Sequence, residues 1–93
     1  MEEKFIAAWK TARETAAALG IRMRPVADAD AMNTARRCLS GHRESDGFSA
    51  LADAGVLRLS LEALAVQKQF TSLFTDEQAN NALVRLLDAG YFL

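Results

Sequence analysis

The chain has 93 residues, 51% of them hydrophobic, and a formal net charge of −1 at pH 7. Its length excludes a second domain, so residues 1–93 are read as one helical domain. A domain this short buries only about 60 to 65% of its unfolded surface and needs nearly all its larger apolar residues for a core. No apolar run approaches the ~18 residues of a bilayer span, Glu2, Glu3 and Lys4 lack the order of a secretory signal, and the lone Cys38 excludes an internal disulfide; no membrane role and a cytoplasmic setting are expected.

Over residues 3–19, Phe5, Trp9, Ala12, Ala16 and Leu19 recur at alternating steps of four and three, one face of a first helix that Gly20 ends. Pro25 disfavours helix at Arg24, so residues 21–27 are an extended connector with Arg22 and Arg24 to one side and Met23 to the other. Asp28 or Asp30 is placed to cap a second helix, with Met32, Ala35, Cys38 and Leu39 buried and Gly41 closing it. Residues 42–47 form the most polar stretch, a solvated loop, before a short helix to Ala54 that turns Phe48, Leu51 and Ala54 inward. Ser60 caps a long central helix reaching Phe74, on which Leu61, Leu64, Ala65, Val66, Phe70, Leu73 and Phe74 cover more than one face. Thr75 and Gln78 have capping-box spacing, and Ala79, Leu83, Leu86 and Leu87 form the buried stripe of a last helix that Gly90 ends.

No segment alternates with period two, so the fold class is all-α: a compact orthogonal bundle of about five helices without a β-sheet. The seven residues 51–57 echo 86–92, but two helix ends are too few for a solenoid. Three glycines precede an apolar residue: Gly20 before Ile21, Gly55 before Val56 and Gly90 before Tyr91. Each fits the left-handed position of a Schellman turn, with the next residue folding back onto Ala16, Leu51 and Leu86 respectively. Gly41 is followed by His42 instead, so the loop 41–47 is expected to be the free and mobile one.

The charges are unevenly spread. Residues 22–43 carry Arg22, Arg24, Arg36, Arg37 and Arg43 against Asp28 and Asp30, an excess of three positive charges, and residues 44–93 an excess of four negative ones. Those five arginines are the candidate contacts for an anion or nucleic acid. Residues 47–66 resemble a helix-turn-helix, with Gly55 at the turn and Ala50, Ala54, Val56, Leu61 and Leu64 at its apolar positions; the recognition helix would then present Arg58, Glu62, Ala63 and Val66. Residues 61–93 resemble the second and third helices of a winged-helix domain, although Asp76 and Glu77 would face the phosphates and no chain is left for a wing. Both likenesses are apolar frameworks without the basic layer that phosphate contact requires.

Chemistry is sparse. One Cys and one His, with no clustered pair on a helix face, do not make a zinc site, so no metal is expected. A Cys38–His42 dyad would lack an orienting group and an oxyanion site. The glycines stand singly at helix ends rather than in a phosphate loop, and neither G-x-S-x-G nor H-E-x-x-H occurs, so no cofactor and no enzymatic activity are expected. The sequence is therefore read as a small helical module acting through protein–protein contact, with a partner protein or as a homodimer. Its candidate interface is Tyr91, Phe92 and Leu93 with His42 and Arg43. A nucleic-acid-binding regulator using the arginine segment is the alternative, and a ligand pocket lined by Met23, Met32, Phe70 or Phe74 the third.

Overall fold

Five α-helices carry the chain in a computed structural model that describes residues 1–92: α1 (Glu2–Ala18), α2 (Ala31–Ser40), α3 (Phe48–Asp53), α4 (Leu61–Ala65) and α5 (Asp76–Asp88). Single 3-10 turns at Asp28–Asp30, Leu57–Leu59 and Thr71–Leu73 lead into or between them, and no strand occurs among the described residues. The all-α bundle read from the sequence is thus the fold. Its radius of gyration of 12.0 Å is that of a tightly packed chain of this length.

α1 buries the stripe its spacing dictates, Phe5, Trp9, Ala12 and Ala16, while Leu19 turns out to solvent instead of joining it. Phe5 is the centre of an aromatic cluster. The rings of Phe70 and Phe74 meet it edge-on at centroid separations of 5.3 and 5.2 Å, and Trp9 lies 6.1 Å away. Such edge-to-face pairs set the positive ring edge against the negative face of the next ring. α4 lies at the middle of the domain, with all five of its residues buried.

The three Schellman ends form as expected. Gly20, Gly55 and Gly90 have φ of +87, +73 and +76°, and the N–H groups of Ile21, Val56 and Tyr91 donate to the carbonyls of Ala16, Leu51 and Leu86. Ile21 and Val56 pack against the core, whereas Tyr91 stays at the surface. Ser60 Oγ accepts from the Ala63 N–H at the start of α4, and Thr75 and Gln78 make the reciprocal capping box of α5.

Other expectations are corrected. The central helix does not run to Phe74: it stops at Ala65, and residues 66–74 proceed by turns. A straight helix with apolar residues over so wide an arc cannot bury them all in a small domain, and the bend brings both Phe70 and Phe74 onto Phe5. Neither Asp28 nor Asp30 caps α2 through its side chain. Ala54 is exposed, because α3 ends at Asp53 and only Phe48 and Leu51 turn inward. α5 is rotated from the expected stripe: Ala82, Arg85 and Leu86 are buried, while Leu83 and Leu87 face solvent.

Candidate functional site

The rotation of α5 follows from its polar residues. Gln78, Asn81 and Arg85 lie on one side of the helix and point at the C-terminal end of α2, whose last carbonyls have no partner within their own helix. Gln78 Nε2 donates to Ser40 Oγ at 2.9 Å, Asn81 Nδ2 to the Leu39 carbonyl at 2.9 Å, and Arg85 Nη2 to the carbonyls of Cys38 and Gly41 at 3.2 and 2.8 Å. α2 therefore ends without a left-handed glycine, Gly41 being extended at φ −82°. Side chains of α5 do the capping that a Schellman turn does elsewhere.

The other guanidinium arm of Arg85 pairs with Glu62 at 3.1 Å. Glu62 is 0% and Arg85 8% exposed, so the ion pair lies within the core. Two charges survive there because their hydrogen-bonding capacity is met: Glu62 also accepts from the Ser45 N–H at 2.8 Å and from Ser45 Oγ. The loop 41–47 is accordingly anchored, contrary to the mobility expected of it. Arg85 holds Gly41, Glu62 holds Ser45, and the carboxylate of Asp46 accepts from the Arg24 N–H. At Gly47, with φ of +81°, an added Cβ would stand 2.7 Å from Met23 Cγ, so the connector 21–27 packs closely on this loop. Burial, with Glu62 second, pushes the pKa of the half-buried Cys38 thiol up from its ordinary value.

Where the connector, the loop and α1 converge, two adjoining clefts open. One of about 390 Å³ is lined by Trp9, Arg13, Arg24, Arg43, Thr34 and Leu61 among others. The second shares Arg13, Met23, Arg24 and Asp46 with it and adds Arg22. Across both, Arg13, Arg22, Arg24 and Arg43 stand against Glu44 and Asp46, two positive charges in excess. The guanidinium carbon of Arg13 lies 4.7 Å from the centroid of the Trp9 ring, a cation–π contact. Its Nη1 is buried with no hydrogen-bond partner among the described residues. Burial lowers the pKa of Arg13, with Asp28 and Glu14 opposing, but a guanidinium keeps its charge throughout the working pH range.

The five arginines singled out in the sequence are thus divided. Arg22, Arg24 and Arg43 line the clefts. Arg36 is turned away and occupied, donating to the Leu73 carbonyl and to Glu2 at 3.2 Å, and Arg37 is exposed on α2. Arg13, absent from that set because residues 1–21 are neutral as a group, joins it in space. Its sequence signal was the spacing of four from Trp9 on one helix. Of the expected pocket residues only Met23 lines these clefts; Met32, Phe70 and Phe74 are core.

The expected interface residues are also separated. His42 and Arg43 are exposed along a hollow walled on its far side by Asn81, Val84 and Asp88 of α5. Tyr91 and Phe92 stand beyond the end of α5 with their rings packed edge-on at 5.0 Å, and Leu93 lies outside the described residues. Between these places the outer face of α5 leaves Leu83, Val84 and Leu87 at 38, 46 and 55% exposure, a strip that continues the Tyr91–Phe92 pair. The helix-turn-helix register fails on geometry, since its recognition helix is α4, buried from end to end. Among the described residues no helix is long and apolar enough to cross a membrane. No protein-family model matches the chain, and comparison with curated proteins and with solved structures finds no significant match.

Proposed function

We propose that this chain is a non-catalytic helical module that pairs with a second copy of itself through the outer face of α5. The observation that carries the reading is the exposure of Leu83, Val84 and Leu87 on a helix whose opposite face buries an arginine. Leu83 and Leu87 are one turn apart and Val84 lies beside them, so they form a continuous ridge that Tyr91 and Phe92 extend. A two-fold pairing of antiparallel α5 helices sets each ridge against its copy, the self-complementary arrangement of an isologous dimer. It also brings the acidic start of α5, Asp76 and Glu77, toward the end of the partner helix, where Arg58 lies beside Gly90 and Tyr91. The nucleic-acid reading has less support, because Arg36 is already engaged and, among the described residues, no exposed helix carries a basic layer.

Sedimentation at tens of micromolar tests the pairing. The wild-type chain is expected to sediment as a dimer, and Leu87→Glu as a monomer with an unchanged helical spectrum. A monomeric wild-type chain at that concentration rejects self-pairing. A different protein bound to the same ridge, and released by Leu87→Glu, would reassign the ridge from self to partner.

A further inference from the structure

We infer that the arginine-lined clefts between α1, the connector 21–27 and the loop 41–47 bind a small phosphate monoester. Three observations converge on a ligand of that class. Across the two clefts four arginines face two carboxylates, an excess of two positive charges against a phosphate monoester dianion, and the cleft of about 390 Å³ alone has Arg13, Arg24 and Arg43 against Glu44 and Asp46. Arg13 lines both clefts while its enclosed Nη1 has no hydrogen-bond partner among the described residues, so its charge is not spent on a protein acceptor and an anion at the accessible part of the guanidinium supplies the counter-charge. The neighbouring wall is apolar, made by Trp9, Met23, Val26 and Leu61, so the cleft accommodates an organic group beside the phosphate. At about 390 Å³ it has the size of a small-ligand site.

The division of labour follows from position. Arg13 is fixed by its stacking on Trp9 and serves as the rigid member of the site. Arg24 and Arg43 approach from the connector and the loop, which the Arg24–Asp46 hydrogen bond ties together. Arg37 lies outside. The site shares no residue with the α5 ridge, although Arg43 also borders the hollow next to Val84, and neither proposal rests on the other.

Trp9 is the only tryptophan, which makes intrinsic fluorescence a reporter of this cleft. Titration with phenyl phosphate is expected to give a saturable change in that fluorescence, at lower concentration than inorganic phosphate. Arg13→Gln and Arg43→Gln should each weaken the response roughly tenfold or more, and Arg37→Gln should leave it unchanged. Arg43 is an exposed loop residue, so its variant keeps the test valid if Arg13→Gln fails to fold. Absence of a saturable response to either probe overturns the inference, as does a response that persists in Arg43→Gln. Equal affinity for the two probes overturns the monoester assignment. Tighter binding of an oligonucleotide, weakened as much by Arg37→Gln as by Arg43→Gln, would make the arginines a nucleic-acid surface and likewise overturn it.

Discussion

The two faces of α5 depart from the usual order of a surface helix, although Ala82 and Leu86 are buried. The inner face presents Gln78, Asn81 and Arg85 to the end of α2, and the outer face presents Leu83, Val84 and Leu87 to solvent. On the inner side, hydrogen-bond demand accounts for the rotation: the carbonyls of Leu39 and Gly41 and the carboxylate of Glu62 take donors from α5, and a leucine supplies none. Ala82, on the same side of α5, is fully buried. Unmet polar groups in a core cost more than exposed leucines, so polar satisfaction outweighed the apolar stripe.

The sharpest way to break this contrast is on the inner face. Arg85→Ala leaves Glu62 buried without its counter-ion and removes the side-chain donor to the Gly41 carbonyl, and a loss of about 3 to 5 kcal/mol in urea denaturation is expected. A loss below about 1 kcal/mol would demote the pair to a bystander. Gly47→Ala, in the loop that Glu62 holds, comes next, at about 2 kcal/mol or more. It combines a left-handed backbone with a Cβ 2.7 Å from Met23 Cγ. Gly55→Ala has open space around it and should cost about 1 kcal/mol from φ alone. Equal losses at the two glycines would mean that the connector does not press on the loop.

Smaller effects sharpen the same contrast. Thr75→Ala removes the capping box that starts α5 and should cost about 1 kcal/mol, affecting both faces together. Leu87→Glu on the outer face should change the stability of the monomer by no more than about 0.5 kcal/mol while abolishing self-association. Cys38 tests the interior without altering stability. Its raised pKa means less thiolate than an ordinary cysteine has near pH 8.5, so alkylation should be slower in the native protein than in urea. The native rate should also go on rising with pH above that point. Equal rates in the two conditions would place the thiol in open solvent.

What could be read from the sequence was local. The glycine stops, the Thr75–Gln78 box and the spacing of Phe5, Trp9, Ala12 and Ala16 depend on neighbours a few positions away, and each takes the form its residues dictate. What could not be read depends on distant partners. Glu62 looks like a surface residue until Arg85 and Ser45 are placed beside it. The loop 41–47 looks free for the same reason, and the break after Ala65 follows from where Phe5 stands. The candidate site divides likewise: Arg22, Arg24 and Arg43 were grouped by sequence, whereas Arg13 enters the group only through the fold, and Arg36 leaves it by pairing with Glu2.

The donors of α5 reach the end of α2 between 38 and 47 positions earlier in the chain, and Glu62 23 positions earlier, and this bears on how the molecule folds. α2 has 10 residues, α3 six and α4 five, all shorter than the roughly 12 to 15 that an isolated helix needs to persist in water. Until α5 docks, α2 lacks the groups that complete its end and the Glu62 carboxylate has no cation to enter the core with. Formation of the domain is therefore expected to be all-or-none. The amide protons of α2 and α5 should exchange with solvent through a single opening event rather than helix by helix.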